Sequence, residues 1–423
     1  MKKVLCLFIA LLTFACTNNA IMDTPNSLEN KMKSNSEIRS YTEALEIAKS
    51  AISMLDQTSM TRGYTNERKI NLREHLVYKR DIKTRSDQNA NDTLIYIFNF
   101  ENNEGFALVS ANKKTEGLLA ISEKGNCNPN IRSDVEGFNM FIDMAKKYVS
   151  TSSKEIVGRF EPNNFLLDTV VHVISSVGPL VSVKWGQTYP EGEYCPNGIS
   201  GCANTAIAQI MSYYNQPTGI SLTYNGADIN YQNLNWTSLK NHNTNNPSHN
   251  HLSSSCNDLD AHNAIGRLLR QLGHMNNSEY DDLGTGTYTE QYAPSTMTSL
   301  GYHVRTFEDF SGYNARKQID SLHICLMRGS GHAWIMDGYK RDIATEYCME
   351  RVVGPNGIIT WVVREVYGTV TYYYNHINWG WYGNCDGYYS ENVFNTSSVL
   401  WPDTNTNTAS FNATSVRYAG VFY

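Results

Sequence analysis

Cys202 opens the segment Gly201-Cys202-Ala203-Asn204-Thr205-Ala206-Ile207-Ala208-Gln209-Ile210-Met211, a setting that suits a sulfur nucleophile. From Ala203 to Tyr214 there is no Gly or Pro, apolar residues recur, and Pro217 enforces a stop, so a helix is predicted to begin at Cys202. A cysteine there meets the positive end of the helix dipole and unpaired backbone N–H groups, both of which lower a thiol pKa. Gly201 leaves room for a substrate to approach. A thiolate that attacks an amide needs a partner to hold the proton and return it to the departing amine, and histidine titrates in the right range. Of the 11 histidines, His332 stands out in Gly329-Ser330-Gly331-His332-Ala333-Trp334-Ile335-Met336, where a Gly-rich turn leads into an apolar strand. A third segment, His376-Ile377-Asn378-Trp379-Gly380-Trp381-Tyr382-Gly383, brings an amide that could fix an imidazole tautomer and an indole that could keep water from it. Each segment also has a plain structural reading: a small buried cysteine at a helix start, a satisfied histidine at a strand start, tryptophans that pack. His376 is a rival base, although strand alternation puts it on the face of Asn378.

Taken together, these segments resemble the streptopain family of papain-like cysteine endopeptidases. The family's order of a WxQ element, a GC-helix, a GHA strand and an H-x-NWGW element is present as Trp185-Gly186-Gln187, Gly201-Cys202, Gly331-His332-Ala333 and His376 to Trp381. The resemblance implies Cys202 as nucleophile, His332 as general base and acid, Gln187 as side-chain donor of the oxyanion hole, and Asn378 with Trp379 as the orienting and shielding pair. It implies that Gly331, Gly201 and Trp381 line the substrate cleft, with Gly286 of the Gly284-to-Thr287 loop on the opposite wall. No metal or organic cofactor is called for. The implied fold class is α+β: a papain-like catalytic domain, helical part plus antiparallel sheet, preceded by a small α+β prodomain that blocks the cleft until cleaved. Departures are Asn204 where a small apolar residue is expected, Tyr382 where Gly is expected, and an extra stretch at 341–371, rich in Val, Ile, Thr and Tyr, that reads as an added hairpin.

The elements needed to hold these residues follow from apolar periodicity. Ala44, Ile47, Ala48, Ala51, Ile52 and Leu55 recur at helical spacing over 41–55. Leu94 to Phe100 and Phe106 to Val109 read as strands joined by the polar turn 101–105, and a second helix is expected over 134–148 with Phe138, Phe141, Ile142 and Ala145 on one side. Polar residues from Ser150 to Asn164 read as an accessible connection, which places the processing region between about 150 and 180. The expected division is 1–16 signal peptide, 17–39 flexible tether, 40–170 inhibitory prodomain and 171–423 peptidase domain. The 241–255 stretch, with His242, His249 and His251 among Asn and Ser, reads as a surface loop in preference to a metal site.

Lys2 and Lys3 precede an apolar run from Val4 to Phe14 that ends in Ala15-Cys16, which is an export signal; Ala15 before Cys16 resembles a lipobox and makes Cys16 a candidate lipidated N-terminus. The alternative is simple signal cleavage, because Thr13 stands where a lipobox has Leu. The expected location is therefore the outer membrane or cell surface, or the medium after processing. A net charge of -6 from 35 basic and 41 acidic residues, scattered without basic runs, excludes nucleic acid as the natural partner. With Cys6, Cys16 and Cys202 set aside, six of the nine cysteines remain without regular spacing, which favours buried free thiols; a Cys348–Cys385 bridge is the alternative. The expected partners are protein or peptide substrates and the chain's own prodomain. Two rival functions keep the scaffold: acyl transfer to an amine, and non-catalytic surface binding.

Overall fold

The computed structural model describes residues 38–59, 68–80, 93–151, 165–243, 259–282, 284–353, 359–395 and 416–423. The helices are α1 (Tyr41–Ser59), α2 (Glu136–Thr151), α3 (Cys202–Tyr214), α4 (Trp236–Asn243), α5 (Leu259–Met275), α6 (Thr289–Ser299), α7 (Gly312–Asp320) and α8 (Glu391–Phe394). The strands are β1 (Leu76–Lys79), β2 (Thr93–Asn99), β3 (Phe106–Ser110), β4 (Leu118–Ser122), β5 (Phe165–Val177), β6 (Gly219–Ser221), β7 (Tyr231–Asn233), β8 (Glu279–Asp281) and β9 (Gly284–Gly286). They continue as β10 (His303–Val304), β11 (Glu308–Asp309), β12 (Ile324–Gly329), β13 (His332–Val353), β14 (Ile359–Asn378), β15 (Gly387–Ser390) and β16 (Arg417–Phe422).

The N-terminal unit is a sheet with a helix on each face. Along β2 and β3 the alternation sends Ile95, Ile97 and Leu108 to one side, against Phe138, Phe141, Ile142 and Ala145 of α2. Tyr96, Phe98, Ala107 and Val109 go to the other, against Ala44, Ala48, Ala51, Ile52 and Leu55 of α1. Both faces are covered, which is why these strands read as nearly unbroken apolar runs rather than as alternating ones. The turn between β2 and β3 is a short 3₁₀ segment, Glu101–Asn103, in which Asn102 takes φ 59°. Asparagine tolerates that left-handed conformation better than most residues.

This unit does not stand apart. Strand order in the main sheet is β1-β2-β3-β4-β15-β14-β13-β12-β16-β10, so β4 of the N-terminal unit pairs antiparallel with β15 of the C-terminal one. Ala120, Ile121 and Ser122 lie opposite Tyr389, Tyr388 and Gly387. Two carboxylates flank the seam. Buried Glu116 accepts hydrogen bonds from Tyr148, at 2.6 Å, and from Ser390. Glu123 lies 3.6 Å from Lys184 Nζ, which also reaches Asp386 at 3.2 Å. One core cluster joins α2 residues to Trp334, Met336, Ile377, Trp379 and Tyr389 across this seam.

The other core surrounds α3, whose residues Ala203 to Ser212 are all buried. Helices α5 and α6, strands β12 and β13, and Val181 and Val183 enclose it. The expected insertion is the outer part of a long hairpin in which β13 pairs with β14 from Ile335↔Asn378 to Val353↔Ile359.

Two features bear on the sequence reading. Beyond the polar connection of 150–164, β5 pairs antiparallel with β13 from Val177↔Tyr339 to Phe165↔Glu350. The backbone of 165–177 is committed to the insertion hairpin, and β5 runs across the boundary expected at 170. Cys127, Cys195, Cys325 and Cys385 are buried free thiols, as the irregular spacing favoured, and the alternative Cys348–Cys385 bridge is not formed. The signal and tether up to residue 37, and His249 and His251, lie outside the described residues.

Candidate active site

Helix α3 begins at Cys202, as its sequence demands. Gly201 precedes it with φ 88°, a conformation that glycine adopts without steric cost, and α3 ends at Asn215 in the left-handed region. A side chain on Gly201 would meet Thr285 Cγ2 at 2.9 Å, so the β8–β9 hairpin that carries Gly286 closes on this point. Asn197 ties the hairpin down by donating to Gly284 O at 2.8 Å. Across from the helix, β12 turns through Ser330 and Gly331 into β13, and Ala333 N–H donates to Cys202 Sγ at 3.4 Å. That contact sets the sulfur beside the residue following His332. A Cβ on Gly331 would have nothing within 4 Å, which leaves open space next to the pair.

His332 is 6% exposed and is flanked by Trp334, with ring centroids 6.1 Å apart, and by Trp379 at 6.4 Å. Its Nε2 lies 3.3 Å from Trp379 O. A carbonyl only accepts, so this bond selects the tautomer protonated at Nε2 and leaves Nδ1 as the basic nitrogen. Asn378 does not orient the imidazole here. It donates to Val183 O at 3.0 Å and accepts from Gly380 N–H at 3.0 Å, so its amide is spent joining β14 to the segment before Trp185 and shaping the turn after Trp379. Trp379 is fully buried, held by Asp386 at its N–H and by Cys385 O at its indole. His376 is no rival base: Nδ1 pairs with Asp337 at 2.5 Å and Nε2 lies 3.5 Å from Glu123.

The electrostatic state is that of a resting pair. Burial pushes the Cys202 thiol up to about 11, with Glu136 adding to the rise and the N–H groups of Ala333 and of the helix start opposing it. Burial also pulls His332 below the ordinary histidine value, against the carboxylate of Glu136 and the Trp379 carbonyl. Both groups are therefore neutral near pH 7. The cause is α2. A Cβ on Gly137 would fall 2.5 Å from His332 Cδ2 and 2.4 Å from Trp379 Cε3, so the backbone at the start of α2 lies directly on the imidazole. The positive end of that helix further disfavours an imidazolium. Gly137 carried no signal in the sequence beyond a weak helix position, and only the tertiary contact gives it meaning.

Gln187, 8% exposed, lies on the loop after Trp185, and its carbonyl accepts from Ser200 N–H at 2.7 Å, which binds it to the residues leading into Cys202. Half-buried Trp381 lines a cleft of about 1210 Å³ together with Ser330, Tyr382 and, from the N-terminal unit, Arg132 to Glu136, Asn139, Met140 and Asp143. The arrangement has parts that suit acyl transfer: a sulfur at a helix start, bonded to the N–H of the residue that follows His332, and the unpaired N–H groups of that helix start.

Residues 185–389 match the peptidase C10 family, and residues 28–149 match the Spi protease inhibitor family. Together these matches support a streptopain-family cysteine peptidase with its prodomain. Its N-terminal unit is the family's inhibitor-like prodomain. Streptopain of Streptococcus pyogenes is 24% identical over 338 residues, covering 72% of this chain and 75% of streptopain. The thiol protease/hemagglutinin PrtT of Porphyromonas gingivalis is 22% identical over 344 residues, 73% of this chain and 35% of PrtT, so the chain spans about a third of that relative. A fragment of prointerpain A from Prevotella intermedia aligns with a TM-score of 0.48 at 18% identity, covering 82% of this chain and 98% of the fragment. In this streptopain-family chain the prodomain helix α2 lies on the imidazole, which is the geometry of a latent precursor.

Proposed function

We propose that the chain is the precursor of an exported cysteine endopeptidase in which Cys202 is the nucleophile and His332 the base. The observation that carries this reading is the hydrogen bond from Ala333 N–H to Cys202 Sγ, which sets a helix-terminal sulfur beside the histidine strand. Once α2 leaves, water reaches the pair, and the proton moves from Cys202 to Nδ1 of His332. The thiolate attacks the peptide carbonyl, and the oxyanion is held by the Cys202 N–H and the Gln187 side chain, each such donor contributing about 10²–10³ in rate. His332 gives its proton to the departing amine. It then takes a proton from water, whose oxygen attacks the thioester, releases the acid product and returns the thiolate.

Processed wild type and Cys202→Ala are to be incubated with a peptide library and an added primary amine under reducing conditions. Hydrolysed peptides from wild type alone support the endopeptidase. Amine-linked products without hydrolysis would replace it with a transamidase, and inert wild type with an unreactive Cys202 would leave a surface-binding protein.

Export rests on the Lys2-Lys3 and apolar 4–14 run, and anchoring on Ala15-Cys16. Labelled fatty acid should enter the wild type and not Cys16→Ser; equal labelling of both would end the lipoprotein reading.

A further inference from the structure

Tyr382 follows Trp381 at a position where the sequence pattern called for glycine, and its backbone takes φ 58°. A bulky residue in that region is strained by roughly 1–3 kcal/mol, and such strain persists where surrounding contacts over-determine it. Those contacts converge on one loop. The Tyr382 ring lies so close to Gly186 that a Cβ there would fall 2.1–2.4 Å from Cζ, Cε1 and Cε2. Its hydroxyl accepts from Thr188 N–H at 3.0 Å, and lies 2.9 Å from Thr188 Oγ1, 3.2 Å from Tyr189 O and 3.4 Å from Glu191 Oε2. Fully buried Glu191 in turn accepts from Gly186 N–H through Oε1 at 3.4 Å. The residue between Gly186 and Thr188 is Gln187.

We propose that Tyr382 is a positioning residue for the oxyanion hole: its ring and hydroxyl fix the peptide units on either side of Gln187, and so set where the Gln187 amide meets the developing oxyanion. This rests on the assignment of Gln187 given above. The phenol can do this continuously because burial raises its pKa, so it keeps its proton and serves as acceptor to Thr188 N–H and donor to one neighbour at once. The opposite edge of the 187–188 peptide unit is already tied, through the Gln187 carbonyl, to Ser200. Tyr382 supplies the constraint from the opposite wall.

The test is a kinetic double-mutant cycle on the processed enzyme. Tyr382→Phe keeps the ring and removes the hydroxyl. A small displacement of a catalytic donor costs up to about 10²-fold, so kcat should fall by about tenfold with KM little changed. In a Gln187→Ala background, Tyr382→Phe should change kcat no further. Gly186→Ala, which drives a methyl into the same ring, should reproduce the kcat loss should Tyr382→Phe fold poorly. A Tyr382→Phe enzyme with wild-type kcat, or a loss that multiplies onto that of Gln187→Ala, overturns the positioning role alone. A Gln187→Ala enzyme with wild-type kcat overturns the oxyanion assignment beneath it, and the positioning role with it.

Discussion

The contact between α2 and the imidazole makes a quantitative prediction for Gly137→Ala. The added methyl would sit 2.4–2.6 Å from Trp379 and His332, where ordinary contact begins at 3.4 Å. Relief requires α2 to withdraw by about 1 Å or the rings to leave their rotamers, and such overpacking costs about 1–3 kcal/mol. Alanine's better helix propensity does not offset this, because α2 gains it equally whether docked or released. The whole cost falls on the docked state, so the released, reactive fraction of the precursor should rise by about 5- to 150-fold, at 1.4 kcal/mol per tenfold. The assay is the initial rate at which a thiol-reactive peptidyl electrophile labels the full-length band before processing begins. Labelling of Gly137→Ala at the wild-type rate, or more slowly, would refute the claim that this contact maintains latency.

Two pH predictions follow from the buried groups. With its thiol at about 11, Cys202 of the precursor should alkylate slowly at pH 7 and ever faster as pH approaches 11, whereas the processed enzyme should alkylate readily near neutrality; equal neutral rates in both forms would argue against the resting pair. His376 is raised from 6.5 to about 9 by Asp337 and Glu123, against the opposing effect of burial. A folded pKa above the unfolded one stabilises fully below the unfolded value and is lost as pH rises through the folded one. The precursor's Tm should therefore decline between about pH 6.5 and 9, and His376→Asn should flatten that part of the Tm-against-pH curve.

The start of the Cys202 helix was legible: an uninterrupted run after Gly201, stopped by Pro217, predicts a helix from Cys202, and α3 spans Cys202–Tyr214. Helices α1 and α2 and the β2–β3 hairpin were also legible, because their apolar spacing is set by the faces they bury. What escaped was tertiary. The join of β4 to β15 pairs residues far apart in the chain, and strand propensity carries no partner information. The pairing of β5 with the insertion hairpin escaped for the same reason, since its polar surroundings read as a linker. Asn378 was misplaced because an amide in a strand has two faces and many acceptors, and the backbone carbonyl of its neighbour Trp379 reaches the imidazole instead. Tyr382 was noticed as a departure from pattern, but its contact with Gly186 depends on how two distant loops meet.

On the proposed mechanism, Cys202 and His332 form the reactive pair once the prodomain is released. An irreversible peptidyl electrophile should be added to processed wild type and His332→Ala at neutral pH, and the adduct located by tryptic mass spectrometry. Wild type should carry one stoichiometric adduct on Cys202, with peptide hydrolysis lost in step with it, and His332→Ala at most a trace. Full hydrolysis with Cys202 modified, or equal labelling without His332, would contradict it.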